Sequence, residues 1–600
     1  MIIFSYLLLL QKRRIKELIT TRLCAWFYSK QHICIKTLTN KKMSDFHQIW
    51  KNKFLRKKIS TFVLSHHGGG PIQITLDYLE KYYHLLANDI IDFYLYLREE
   101  DLKKFIQTKQ ENIYLFSKVK GICFSGYWRA KIPLPEDLLQ GELPFKSVTF
   151  GPSFHGIYQA GFIPNGVESV FLKNEYPLDI VENFFPETIT EVVADHSIAA
   201  GEIVVGALPE SLTRLEIGEG YEGDINQGMI PQNLKILDLG ASIFNDLPSD
   251  AIPDSLTQLG FCGICEEDYS FPPNLKSLTT RSLNFPLTIN TFSNTLTSLD
   301  FHEILFEEPL SKGVLPKSLI SLNLGNYDLY LSPGVFPESL KTLYLGAFCD
   351  PITPGLLPPS LTTLDLGKSD YEVHLDLLPP SLTYLAFPAI YTQQVMVGAI
   401  PHGVKTLYFN HSLDRPDLGT IPNSVTKLVF KDNFQSPLIP GIIPNSVQEL
   451  KFKCSYYTEP LKAGVFPNSV KRLTLLLEDA DESIIFPETI PSGIEYFKYT
   501  GDGDLKGLIP FGVKTLKVIR SKPINPGVIP STVRNLSIDN ALLSEIPPHV
   551  KDLTIGNIRS DLIVPETVEK LQIIYNSIDR ITIPKSLPSY QYEGILIVNK

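Results

Sequence analysis

The chain has 600 residues, 44% hydrophobic and 20% charged, a balance that excludes a wholly disordered or collagen-like polypeptide. A single core stops growing near ~250–300 residues, so several domains or a repeat array is expected. The net charge of −10 is unevenly spread: residues 11–60 hold fourteen Lys/Arg against Glu17 and Asp45, which leaves −22 for residues 61–600.

The first residues, MIIFSYLLLLQKRRIK, contain an apolar run of about ten residues, too short to span a bilayer. No positive region precedes it and no small-residue cleavage site comes after it, so it reads as neither a transmembrane helix nor a signal peptide. Met43 opens a more ordinary start, and residues 1–42 are expected to be a basic leader that is either outside the expressed protein or disordered. If present, this basic head offers weak peripheral contact to a membrane surface; it carries no aromatic-interleaved motif for nucleic acid.

Residues 43–140 are expected to form a helical segment that caps the remainder of the chain. Within 72–120, apolar residues recur at three-to-four spacing, and LREEDLKKFIQ continues as an amphipathic turn. Asp89–Phe105 faintly resembles an F-box but lacks the Leu-Pro opening and the closing tryptophan.

From 141 to 600 the sequence repeats. GVLPKSLISLNLG at 313–325, GVFPESLKTLYLG at 334–346 and GLLPPSLTTLDLG at 355–367 share one pattern, Gly-apolar-apolar-Pro-x-Ser-Leu-x-x-Leu-x-Leu. Anchors from Pro164 to Pro584 number 21, with Ser293 alone replacing proline, and their mean spacing is 21 residues. The last two leucines alternate with period two, as a half-buried strand requires. Proline cannot donate to a ladder, so it marks strand entry, and the glycines before and after permit tight turns. One unit cannot bury enough apolar surface to fold alone, so the units must stack. The fold class expected is a mainly β tandem-repeat solenoid with a parallel sheet on one face.

The LxxLxL strand is the leucine-rich-repeat signature. The unit more closely resembles the FNIP repeat, in which an F/I-N-x-P element precedes the Gly-x-Ile-Pro-x-Ser-Val strand entry. That element survives here as Ile225-Asn226, Phe244-Asn245 and Ile524-Asn525-Pro526. Phe46–Ile59 is also similar to the segment before the repeats in some members. The resemblance implies an interaction protein, since members are regarded as such and some carry an F-box or a kinase domain beside the repeats.

Catalytic constellations are absent from the sequence. His66-His67-Gly68-Gly69-Gly70 has no G-x-S-x-G elbow to serve. Gly367-Lys368-Ser369 lacks the first P-loop glycine, because Thr362 stands there. Cys262 and Cys265 form a lone CxxC that cannot close a zinc site. The expectation is a non-enzyme without cofactor or metal, and seven cysteines in 600 residues fit a reducing, cytoplasmic setting.

Side chains between the strand leucines, at positions +5 and +7 from the proline, should face outward and form the partner-binding surface. The +7 column includes Glu216, Asp238, Asp300, Tyr344, Asp365, Tyr408, Lys451, Lys498 and Lys517; the +5 column includes Tyr384, Lys427 and Arg472. The charge runs acidic first and basic later. These readings point to a protein-interaction scaffold in intracellular signalling, or alternatively to an F-box-like substrate receptor of a ubiquitin ligase.

Overall fold

The computed structural model describes residues 72–598 apart from intervening segments, the longest at 81–92, 125–138 and 152–160. The leader at 1–42 and the family-like segment at 46–59 lie outside the described residues. Two compact units form: the described residues up to Leu234 together with those from 585 onward, and Lys235–Pro584.

In the second unit each repeat contributes one short strand to the main sheet, where successive strands pair in parallel, and some return segments add a two-residue strand of their own, as where Asn245–Asp246 pairs with Gly263–Ile264. Leu299, Leu322, Leu343, Leu364, Leu385, Leu407, Leu428, Leu450 and Leu473 stand opposite one another in unbroken register. All are essentially inaccessible to solvent. A one-residue slip would turn this whole column to water, so the apolar pattern fixes the register. In the repeat around Pro337, Val335, Phe336, Leu340, Leu343 and Leu345 all enter the core.

The Pro-x-Ser-Leu motif does more than open the strand. The proline carbonyl accepts the amide three residues on, as from Leu340 to Pro337 at 3.1 Å. The serine hydroxyl then donates to a backbone carbonyl of the preceding repeat. Ser318, Ser339, Ser360, Ser381, Ser424, Ser446 and Ser469 all do so, at 2.6–2.8 Å. Serine recurs because a short hydroxyl there satisfies a carbonyl that the ladder leaves free. This row lapses late in the chain, where Thr532 Oγ1, His549 Nε2 and Thr567 Oγ1 occupy the same position, buried and without a hydrogen-bond partner.

The glycine after the strand is required where repeats are tightest. Gly346 has φ of +59°, and a Cβ there would collide with the Gly325 carbonyl oxygen. Deeper in the return segments, buried tyrosine hydroxyls bridge backbone groups. Tyr391 accepts from Val373 N–H at 3.3 Å and donates to the Tyr371 carbonyl at 2.9 Å. Tyr327 does the same with Leu310 and Tyr330. Burial pushes both phenols up from their ordinary range.

The first unit begins its parallel sheet earlier than the repeat pattern suggests. Ile72–Thr75, Phe93–Leu97 and Val119–Phe124 pair in sequence and lead into Ser147–Phe150 and the three strands after it. The expected helical segment is present as Leu102–Glu111, with Leu102, Phe105 and Thr108 buried. Strands stand where helix was read at 72–75 and 93–97. A short apolar run such as FYLYL fits either periodicity, and its aromatic residues favour a pleated surface. Leu95 and Leu97 point into the core. The faint F-box stretch is thus strand at Phe93–Leu97 and helix from Leu102. Ser589–Tyr592 and Ile595–Val598 pair antiparallel.

Candidate partner-binding face

Strand alternation places the +5 and +7 side chains on the face away from the core. In the second unit Asp238, Asp300, Asp365, Tyr384, Tyr408, Lys427, Lys451 and Lys498 are partly exposed, and Tyr344, Arg472 and Lys517 are exposed. In the first unit Glu216 is partly exposed and bonded to Arg214 at 2.8 Å, which also reaches Glu191 at 3.5 Å. The hydrogen bond to Glu216 holds the Arg214 guanidinium above its ordinary pKa.

The acidic column has a structural duty that sequence reasoning missed. Asp238 and Asp365 each accept the amide of the glycine two residues on, Gly240 and Gly367, at 2.9 Å. Asn323 does likewise for Gly325 at 3.1 Å and also donates to Asp300 at 2.9 Å. These side chains cap the turn that ends the strand, as Asx residues do. The spacing Asp/Asn-x-Gly was the available signal. Burial raises the pKa of Asp300 and Asp365, partly offset by His302 at the first and by the Gly367 amide at the second.

The middle of this face is aromatic. The Tyr384 and Tyr408 rings lie 5.4 Å apart at 42°, and the Lys431 ammonium sits 5.3 Å from the Tyr408 centroid, within the range of a cation–π contact. Tyr408 pairs across the ladder with Ala386 on one side and Val429 on the other. Both belong to the outward column yet are only 1% exposed, so larger neighbours close over them and the aromatic cluster packs as one layer. Burial, then the charges of Tyr408, Asp365 and Tyr344, push the Tyr384 phenol up to about 12.

The later strands are basic. Glu449 lies 3.1 Å from Lys451 and 3.7 Å from Lys427. Burial alone would raise its pKa, but the Lys451 hydrogen bond and the charges of Lys427, Lys451 and Arg472 bring it below the ordinary value. Arg472 stacks 4.4 Å over the Tyr496 ring. Lys498 and Lys517 stand opposite one another on adjacent strands and make no ion pair among the described residues. Those residues hold no group of three or more His, Cys, Asp or Glu positioned for a metal.

The FNIP Repeat family profile matches residues 201–242, 221–263, 284–327, 306–348, 327–369 and 417–455. The crystal structure of CroV588, described as a novel circular LRR protein, aligns over 86% of this chain and 84% of its own, with 20% identity and a TM-score of 0.51. That likeness concerns the fold alone. YopM from Yersinia enterocolitica WA-314 aligns over 79% of this chain and 85% of its own at 18% identity and a TM-score of 0.32, too loosely to carry an argument. No curated protein matches the sequence. The repeats at these matched residues are FNIP repeats, and the fold they belong to is a leucine-rich-repeat-like parallel solenoid.

Proposed function

We propose that the chain is a non-enzymatic, cytoplasmic protein-interaction scaffold in intracellular signalling that holds its partners on the outward sheet face. The repeat fold is typical of such scaffolds. The observation that supports this reading most is the Tyr384–Tyr408 layer, placed amid charged columns on an outward face. Aromatic side chains enriched at a patch centre with polar groups around them are the composition of protein interfaces. The rings rest on rigid, in-register strands, so little conformational entropy is lost when a partner docks.

The test is affinity capture with intact protein and with a Tyr384→Ala/Tyr408→Ala variant whose circular dichroism matches the parent. Loss of captured proteins is expected. An identical set of captured proteins would show that this face is only solvated.

A further inference from the structure

The outward face changes chemistry along the second unit, and its late part is the most charged. The five consecutive strands Lys427–Phe430, Glu449–Lys453, Arg472–Leu477, Tyr496–Gly501 and Thr515–Ile519 carry six Lys/Arg and one acid. All seven occupy the outward alternation, and none is buried. This local excess of +5 sits on a chain of net charge −10. Like charges crowded on one face repel, so the arrangement lowers stability unless something meets it. The fold neutralises little of it. Glu449 is shared by Lys427 and Lys451, and Arg472 is turned onto Tyr496. Lys453, Lys498 and Lys517 have no ion pair among the described residues.

We propose that this basic face, from Lys427 to Lys517, binds an acidic, extended polypeptide segment of a partner protein, laid across the strands with its apolar end on the Tyr384–Tyr408 layer. The proposal rests on the outward-face reading above and names the chemistry of the partner.

Three observations support a polypeptide. Adjacent strands lie ~4.8 Å apart, so cations on neighbouring or alternate strands recur at ~5–10 Å, while an extended chain presents side chains to one face every ~6.6–6.8 Å. Acidic residues at alternate positions of such a segment can therefore each reach a cation. Glu449 stands within the basic row, held ionised by its lysines. A polypeptide meets that carboxylate with a backbone amide, whereas the unbroken phosphates of a nucleic acid, or an anionic bilayer, would be repelled there. Finally, the tyrosine layer adjoins the row through the pairings of Tyr408 with Val429 and of Val429 with Lys451, giving one end a desolvated, non-ionic anchor.

The experiment uses full-length protein and three fluorescein-labelled probes: a 20-residue poly-L-glutamate, a 20-nucleotide oligothymidylate, and phosphatidylserine-containing vesicles. Anisotropy or co-sedimentation reads binding at low and physiological salt. One variant is Lys451→Glu/Lys498→Glu/Lys517→Glu. A control of equal charge change, Lys312→Glu/Lys462→Glu/Lys506→Glu, alters exposed lysines of the return segments. The expected result is salt-sensitive binding of polyglutamate, weakened roughly tenfold or more in the sheet-face variant and little changed in the control. Tighter binding of oligothymidylate or vesicles through the same lysines overturns the polypeptide assignment. No polyglutamate binding, or equal losses in both variants, overturns the site. If polyglutamate fails while the tyrosine variant still loses captured proteins, the scaffold reading stands and only the acidic partner falls. If both fail, both fall.

Discussion

The inward and outward side chains of two adjacent strands, Thr342–Tyr344 and Thr363–Asp365, divide sharply in what they contribute. Leu343 is fully buried in the leucine column, so Leu343→Ala should cost about 2–5 kcal/mol through lost burial and a cavity. From sequence, the outward Asp365 on the next strand is expected to cost under ~0.5 kcal/mol when truncated, as a solvated charge would. The structure changes that expectation. Asp365 is partly buried and caps Gly367, so Asp365→Ala should cost about 0.5–1.5 kcal/mol. Asp365→Asn keeps the acceptor oxygen and removes the charge whose burial is unfavourable, and should be at least as stable as the parent. The carboxyl's pKa is raised in the folded state, so its contribution to stability is fully present below the ordinary Asp pKa and is lost as pH rises through the folded value. Denaturant unfolding of the three variants at neutral and acidic pH checks this ordering. A larger loss for Asp365→Ala than for Leu343→Ala would refute the register.

Between neighbouring repeats, the serine hydroxyls form a row of hydrogen bonds that the late turns lack. His549 stands in that row with Nε2 buried and unpartnered, and its pKa is lowered, first by burial and then by Arg534, which together outweigh a hydrogen bond of the ring to the Pro530 backbone. Protonation is therefore easier in the unfolded chain. Stability is full above the ordinary histidine pKa and is lost as pH falls below it. His549→Ser should restore the row, slow amide exchange in Asp552–Ile555 and abolish its acid sensitivity. Hydrogen exchange at pH 7.5 and 5.5 measures both, and equal exchange in parent and variant would show that the row carries no stability. The strand spacing, the inward leucines and the turn glycines were all legible in the sequence, because each recurs often enough to stand above local noise. The first strands were not, since Phe93–Leu97 lacks the proline entry and its short apolar run has no unique period. The tyrosine bridges were also hidden: Tyr327 and Tyr391 bond to backbone atoms, which leave no trace in residue identity. Of the candidate face, the outward direction of each column came from alternation alone. The capping role of Asp238 and Asp365 required seeing the glycine amide turned toward the carboxylate.

At the scale of the array, stability comes from neighbours. Each strand in Ser321–Asn323, Thr342–Tyr344 and Thr363–Asp365 is three residues long, too short to persist without a strand on each side. Residues 313–420 expressed alone should unfold less cooperatively than the intact chain, because two exposed ends replace two paired ones. Thermal unfolding monitored by circular dichroism makes the comparison. A transition as sharp as the parent's would show that the coupling between repeats is weaker than the shared ladder suggests.

The unvarying register alongside uneven repeat length has a consequence for how such a chain can change. Anchor prolines lie 24 residues apart from Pro467 to Pro491 but 17 apart from Pro530 to Pro547, while the flanking strands remain aligned leucine to leucine or phenylalanine. The return segments absorb the difference. Genetic gain or loss of a few codons in a return segment is therefore structurally silent, and loss of a whole period rejoins one leucine column to the next. The same slip inside a strand inverts inside and outside. A lineage carrying this architecture can edit its length almost freely in one part of each period and scarcely at all in the other.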